Sequence, residues 1–177
     1  MYFRCYNNCP EFLDEPCELS VAEMNKYIGR STPCPIGEGD GFYECEEGTE
    51  FFCMIIGSRT FLDYEFLTEK TDHLLSDVAK NMHITIVSGG ADGADKLAER
   101  YARDKGYRFL VFNADWNRGK KAGYERNERM HKFLSTVTRK YGGKRGVIAF
   151  WDGKSKGTAQ SFELAKKYNN PIRVIRV

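Results

Sequence analysis

Residues 83–106, HITIVSGGADGADKLAERYARDKG, contain a strand, a turn and a helix in one stretch. Ile84, Ile86 and Val87 lie in a β-branched run, the pattern of a strand buried on both faces. Leu97, Ala98, Tyr101 and Ala102 then share one face at helical spacing, and Gly106 supplies a left-handed stop. Between them SGGADGAD, residues 88–95, carries almost no side-chain bulk. Glycine there permits a left-handed turn and lets another group approach the main chain closely. A strand feeding a helix through such a turn is half of a βαβ unit, which predicts a parallel sheet.

The same alternation extends in both directions. FFCMIIG at 51–57 is a continuous apolar run of buried-strand type, followed by a helix with Leu67, Leu74, Leu75 and Val78 on one face. YRFLVFNA at 107–114 is a third strand, and AGYERNERMHKFLSTVTRKYGG at 122–143 a long helix closed by paired glycines. RGVIAFWDG, GTAQSFELAKKYNN and PIRVIRV complete the order as strand, helix and strand. Nine elements, five strands alternating with four helices, predict an α/β domain over 51–177, a doubly wound parallel sheet of five strands.

Residues 1–50 read differently. They hold five of the six cysteines, at positions 5, 9, 17, 34 and 45, and four of the five prolines. They carry 3 Lys and Arg against 11 Asp and Glu, net −8, whereas the remainder carries 24 against 14, net +10. This predicts an acidic, Cys-rich appendage beside a basic domain whose field favours an anionic partner. So short a segment needs a staple or a neighbour to lie on. Cys5, Cys9, Cys17 and Cys34 are candidate ligands for a structural zinc, with Cys45 as a substitute; free or packed thiols are the equal alternative, because no C-x-x-C pair is present. SVAEMNKYIG at 20–29 has the Ser20 and Glu23 of a capping box and predicts a short helix. The N-terminus lacks a signal-peptide pattern and no apolar stretch approaches the roughly 18 residues of a membrane span, so a cytoplasmic protein with reduced cysteines is expected.

In a doubly wound sheet, ligands bind beyond the carboxyl ends of the strands where strand order reverses. Four segments leave those ends. GSRTF offers Gly57 for close approach, Ser58 as a hydroxyl and Arg59 as a planar fork suited to phosphate. SGGADGAD offers Ser88, Gly89, Gly90, Ala91, Gly93, Ala94 and Asp95 at a helix start, where free N–H groups and the helix dipole attract anions. It has no Walker lysine and does not match G-x-G-x-x-G, and close helix-to-sheet packing is an equal reading of Gly93 and Ala94. ADWNRGKKAGYERN supplies Asp115 and Trp116 for a sugar hydroxyl and a base, and Arg126 and Asn127 near a helix start. WDGKSKGT supplies Trp151, Asp152, Gly153, Ser155, Gly157 and Thr158 at another helix start.

Together IIGSRTFLDYE (55–65), IVSGGADGAD (86–95), ADWNRGKKAGYERNERM (114–130) and AFWDGKSKGT (149–158) resemble the YspA-like, cpYpsA-related branch of the SLOG superfamily. That Rossmann-like group includes the Smf/DprA proteins and the LOG phosphoribohydrolases. The resemblance implies a nucleotide or nucleotide-derived ligand, held by a sensor, carrier or sequestering protein, including in phage conflict, and it makes a homodimer plausible. It also implies two alternatives, cleavage of a nucleotide N-glycosidic bond and single-stranded nucleic-acid binding as in DprA relatives. The LOG enzymes carry PGGxGTxxE, and here the corresponding WDGKSKGTAQSFE has Ser161 in the glutamate's place and Glu163 two residues on. An enzyme on this chain would turn to Asp95, Asp115 or Asp152 as its acid or base.

Overall fold

The computed structural model describes residues 2–5, 17–20, 43–45 and 48–177. Three short strands, β1 (Tyr2–Cys5), β2 (Cys17–Ser20) and β3 (Tyr43–Cys45), pair antiparallel in the order β2-β1-β3, an arrangement the sequence pattern did not suggest. Their register sets Cys5 opposite Cys17 and Cys45 opposite Tyr2. Cys9 and Cys34 of the expected zinc tetrad lie outside the described residues, as does the expected helix beyond Ser20.

From residue 50 the chain runs β4 (Glu50–Gly57), α1 (Tyr64–Leu75), β5 (His83–Ser88), α2 (Ala94–Lys105), β6 (Arg108–Val111), a 3-10 turn (Trp116–Lys121), α3 (Ala122–Tyr141), β7 (Lys144–Trp151), α4 (Lys156–Lys167) and β8 (Ile172–Arg176). The five strands form one parallel sheet in the order β6-β5-β4-β7-β8. This is the Rossmann-like five-stranded α/β architecture expected from the alternation. The chain steps from β4 to β5 and β6 on one side, then crosses to β7 and β8 on the other. Strand order therefore reverses between β4 and β7.

β4 shows why the sheet is covered on both faces. Phe52, Met54 and Ile56 point into one core, with Met130, Phe133, Leu134 and Val137 of α3. Those four α3 residues repeat at i, i+3, i+4 and i+7, one stripe of a helix. Cys53 and Ile55 point into the opposite core, with Leu67 and Leu75 of α1 and Ala94, Ala98, Tyr101 and Ala102 of α2. Burial pushes the Cys53 thiol up to about 12, so it behaves as an apolar core group.

The helices begin and end where short polar residues and glycine dictate. Asp63 caps α1 by accepting from the Phe66 N–H at 2.9 Å. α1 stops at Leu75, earlier than the apolar spacing to Val78 predicts. The reason lies in Ser76, Asp77 and Asn81: Ser76 Oγ donates to the His73 carbonyl and Asn81 Nδ2 to the Asp77 carbonyl, competing with the helix for backbone groups. Gly106 ends α2 at φ 67°, donating its N–H to the Ala102 and Arg103 carbonyls.

Beneath α3 a polar network ties the amino end of β7 to the α4–β8 connection. Arg145 donates to Asn170 Oδ1 at 2.7 Å and to Thr138 Oγ1, and Asn170 Nδ2 lies 3.1 Å from His131 Nδ1 and 3.0 Å from the His131 carbonyl. His131 is fully buried, and burial lowers its imidazole to about 4. Between about pH 4 and pH 6.5 the unfolded chain binds a proton at this histidine that the folded chain refuses. Its contribution is whole above pH 6.5 and lost as pH falls toward 4. A His131→Asn variant, which keeps an acceptor for Asn170, is expected to lose about 1–3 kcal/mol less stability than wild type between pH 7 and pH 4. Chemical denaturation at a series of pH values measures this, and parallel curves for the two proteins would refute it.

Candidate functional site

The carboxyl edge of the sheet is drawn together by Ser58, which follows the last residue of β4. Its N–H donates to the Phe150 carbonyl of β7 at 2.9 Å and its Oγ accepts from the Asp152 N–H at 3.0 Å. Its carbonyl accepts from the Phe61 N–H and, at 3.4 Å, from the Ala94 N–H that opens α2. One residue thus stitches three of the four edge segments, and it is buried by doing so. Gly57 beside it must lack a side chain: a Cβ there would collide with the Phe150 carbonyl and lie 2.7 Å from Ala94 Cβ. Gly93, at φ 76°, packs on the backbone of Ser58 and Arg59 in the same way.

The SGGADGAD segment is closed from within. Asp95, 3 % exposed, turns its carboxylate back under the loop, where Oδ2 accepts from the Gly89 N–H at 3.1 Å and the Ala91 N–H at 3.4 Å. The Gly90 N–H donates to Ser88 Oγ at 3.0 Å, and that hydroxyl donates toward Glu99. Arg126 reaches across from α3, donates to the Gly89 carbonyl and stands 3.5 Å from Asp95 Oδ2. Burial pushes Asp95 up to about 6, with Arg126 and the two N–H groups pulling the other way. Arg126 is lowered by its own burial, which Asp95 partly offsets.

A cleft of about 390 Å³ opens where strand order reverses, between the ends of β4 and β7. Of the residues the sequence singled out, it is lined by Gly57, Arg59, Ala91, Asp95, Trp116, Arg126, Asn127, Asp152, Ser155, Gly157 and Thr158. A second cleft of about 350 Å³ adds Gly89 and Gly90. Seven others line neither cleft. Ser58, Ser88, Gly93 and Ala94 form the packed floor just described. Asp115 caps the 3-10 turn by accepting from the Asn117 N–H. Trp151 donates from Nε1 to the Ser155 carbonyl and is flanked by Arg176 and Phe162, and Gly153, at φ 81°, lies against the Arg176 guanidinium.

Three side chains shape the cleft walls. Asp152 accepts from the N–H groups of Lys154 and Ser155, which hold its carboxyl below the usual range. Ser155 caps α4 by accepting from the Thr158 N–H at 3.4 Å. Asn127 donates to the Gly157 carbonyl and to Gln160 Oε1, joining α3 to α4. Tyr124, Gly123, Thr60 and Ile56 also line the cleft and were missed from the sequence. Gly123 and Tyr124 lie three residues before Arg126 and Asn127, so helical spacing alone would have found them. Ser161 lines the cleft too, whereas Glu163 is exposed and outside it.

The profile of the YspA, cpYpsA-related SLOG family matches residues 53–119, which run from β4 into the 3-10 turn. The Gene 61 protein of Mycobacterium phage D29 is 32 % identical over 126 residues, covering 67 % of this chain and 91 % of that protein. The chain belongs to the YspA, cpYpsA-related SLOG family. Among solved structures, DNA processing protein A (DprA) from Streptococcus pneumoniae superposes with a TM-score of 0.52 at 15 % identity, over 71 % of this chain and 50 % of that one. The two share a fold, and this SLOG protein spans about half the length of DprA. Among the described residues of this SLOG protein, no helix is long and apolar enough to cross a membrane, and no cluster of three or more His, Cys, Asp or Glu side chains is arranged to hold a metal.

The raised Asp95 carboxyl has a measurable signature. Between about pH 4 and pH 6 the folded chain keeps a proton there that the unfolded chain has released, so the Asp95 contribution to stability falls as pH rises through that window. Asp95→Asn retains an acceptor for the loop and removes the titration. Relative to wild type, the variant is expected to gain about 1–3 kcal/mol between pH 4 and pH 7, measured by chemical denaturation. A wild-type-minus-variant difference that does not change with pH would refute it.

Proposed function

We propose that the cleft between β4 and β7 binds a nucleotide-derived small molecule, as a sensor, carrier or sequestering site. The observation that carries this reading is Arg59. Its guanidinium is exposed at the cleft mouth, has no carboxylate partner among the described residues, and stands 5.9 Å from the exposed ring of Trp116. Of the other charges in the wall, Arg126 faces Asp95 and Asp152 is held by its own backbone, while the exposed Lys120 adds a second cation. An unspent guanidinium beside an aromatic ring suits a phosphate attached to a base. Tyr124 offers a second exposed ring, and the first turn of α4, at Gly157 and Thr158, adds the positive end of a helix dipole. The volume falls in the roughly 300–1,000 Å³ range of small-molecule sites.

A second reading, hydrolysis of a nucleotide N-glycosidic bond, is favoured by one observation. Asp95 lines the cleft with a carboxyl near 6, a value suited to proton transfer. Its Oδ2 is engaged by the loop and by Arg126, however, and Ser161 stands where the LOG enzymes carry glutamate. Binding without turnover is therefore the better-supported reading.

The test is calorimetry with the four nucleoside 5′-monophosphates, alongside native mass spectrometry of whatever co-purifies. Arg59→Ala, at an exposed position, is expected to weaken the best-bound monophosphate by about 10-fold and to flatten its salt dependence. If no monophosphate binds, or if Arg59→Ala binds as wild type does, the proposal fails. Release of free base on incubation would favour hydrolysis.

A further inference from the structure

The main cleft does not end at its arginines. The second cleft, over the ends of β5 and β6, shares Arg59, Ala91, Trp116 and Arg126 with it. The two are one trough with a pair of guanidinium groups at its waist. Its ends differ in chemistry. One presents Ile56 and the Tyr124 ring, together with the start of α4. The other is walled by Gly89, Gly90, Asp92, Asn113 and Ala114.

That second end is poorly suited to a phosphate. The Gly89 and Ala91 N–H groups are given to Asp95, the Gly90 N–H is given to Ser88, and Asp92 adds a negative charge. It suits an uncharged group with hydroxyls to donate to Asp92 and Asn113. The positive charge sits at the waist, and in the first cleft through Lys120, instead. Arg126, its side chain nine-tenths buried, lines both clefts and keeps an Nε without a hydrogen-bond partner. Arg59 faces both clefts from the rim.

We infer that the ligand has two parts joined by phosphate: a nucleoside in the end lined by Tyr124, a phosphodiester or pyrophosphate link against Arg59 and Arg126, and a second sugar-bearing group in the end lined by Asp92 and Asn113. This rests on the nucleotide reading of the main cleft. A mononucleotide would fill one end and leave the other to water.

The experiment takes the base that binds best as a monophosphate and compares that monophosphate with the dinucleoside monophosphate and the pyrophosphate-linked dinucleotide of the same base, by calorimetry on the full chain. At least one two-part ligand is expected to bind about 10-fold or more tightly than the monophosphate. Ala114→Phe, which fills the second end, should bring the ratio of the two affinities close to one. Asn113→Tyr, at an exposed position, obstructs the same end and is the second variant should Ala114→Phe not fold. Equal affinities for one-part and two-part ligands in wild type overturn the inference and leave the main-cleft reading standing. No binding by any monophosphate or two-part ligand overturns both. Affinity that climbs from the dinucleotide to a thymidine decamer assigns the trough to single-stranded nucleic acid and overturns the two-part small molecule.

Discussion

A carboxylate sealed under a loop needs donors, and supplying them to Asp95 shapes the loop after β5 and ties it to α3. With 3 % of its surface exposed, Asp95 draws the Gly89 and Ala91 N–H groups inward and holds Arg126 across the gap from α3. The loop after β5 is therefore held from within, and α3 is tied to it by charge and to the sheet by its apolar stripe. Removing one member of such a buried pair costs more than the pair itself contributes, because the other charge is left without a partner. The arrangement is better understood as a device for holding geometry than as a source of stability.

Geometry fixed this way has a consequence for which groups remain available. Ser58 and Asp95 consume most of the backbone donors and acceptors at the heart of the edge. What is left free lies at the rim, in Arg59, Lys120, Trp116 and Tyr124. In the proposed binding role, recognition would fall to exposed side chains set on this packed floor. The 3-10 turn that carries Trp116 buries none of its residues, so the rim is also the most lightly held part of the site.

The fold was legible because each strand is a short apolar run and each helix a periodic one, both properties of neighbouring residues. FFCMIIG and RGVIAFWDG declare buried strands without reference to anything distant. The four edge segments were legible for the same reason, and eleven of the residues singled out in them meet in one cleft. What could not be read was the direction in which a side chain faces once long-range partners compete for it. Ser58 turns inward because the Asp152 N–H lies 94 residues away in sequence and 3.0 Å away in space. Gly57 and Gly93 are bare to fit the chain's own backbone, an alternative the sequence left open for Gly93. Trp151 is held between Arg176 and Phe162, contacts set by the docking of β8 and α4. The short strands before residue 50 escaped notice because three or four residues carry too little periodicity to register.

His131, in the polar network beneath α3, and Asp95, under the loop after β5, titrate over overlapping ranges with opposite effect. One group resists taking up a proton on acidification and the other resists giving one up on neutralisation. Their slopes in stability against pH cancel in part between about pH 4 and pH 6. Acidification from about pH 6 to pH 4 thus costs stability at His131 and returns it at Asp95, so removing either group leaves the slope of the other exposed.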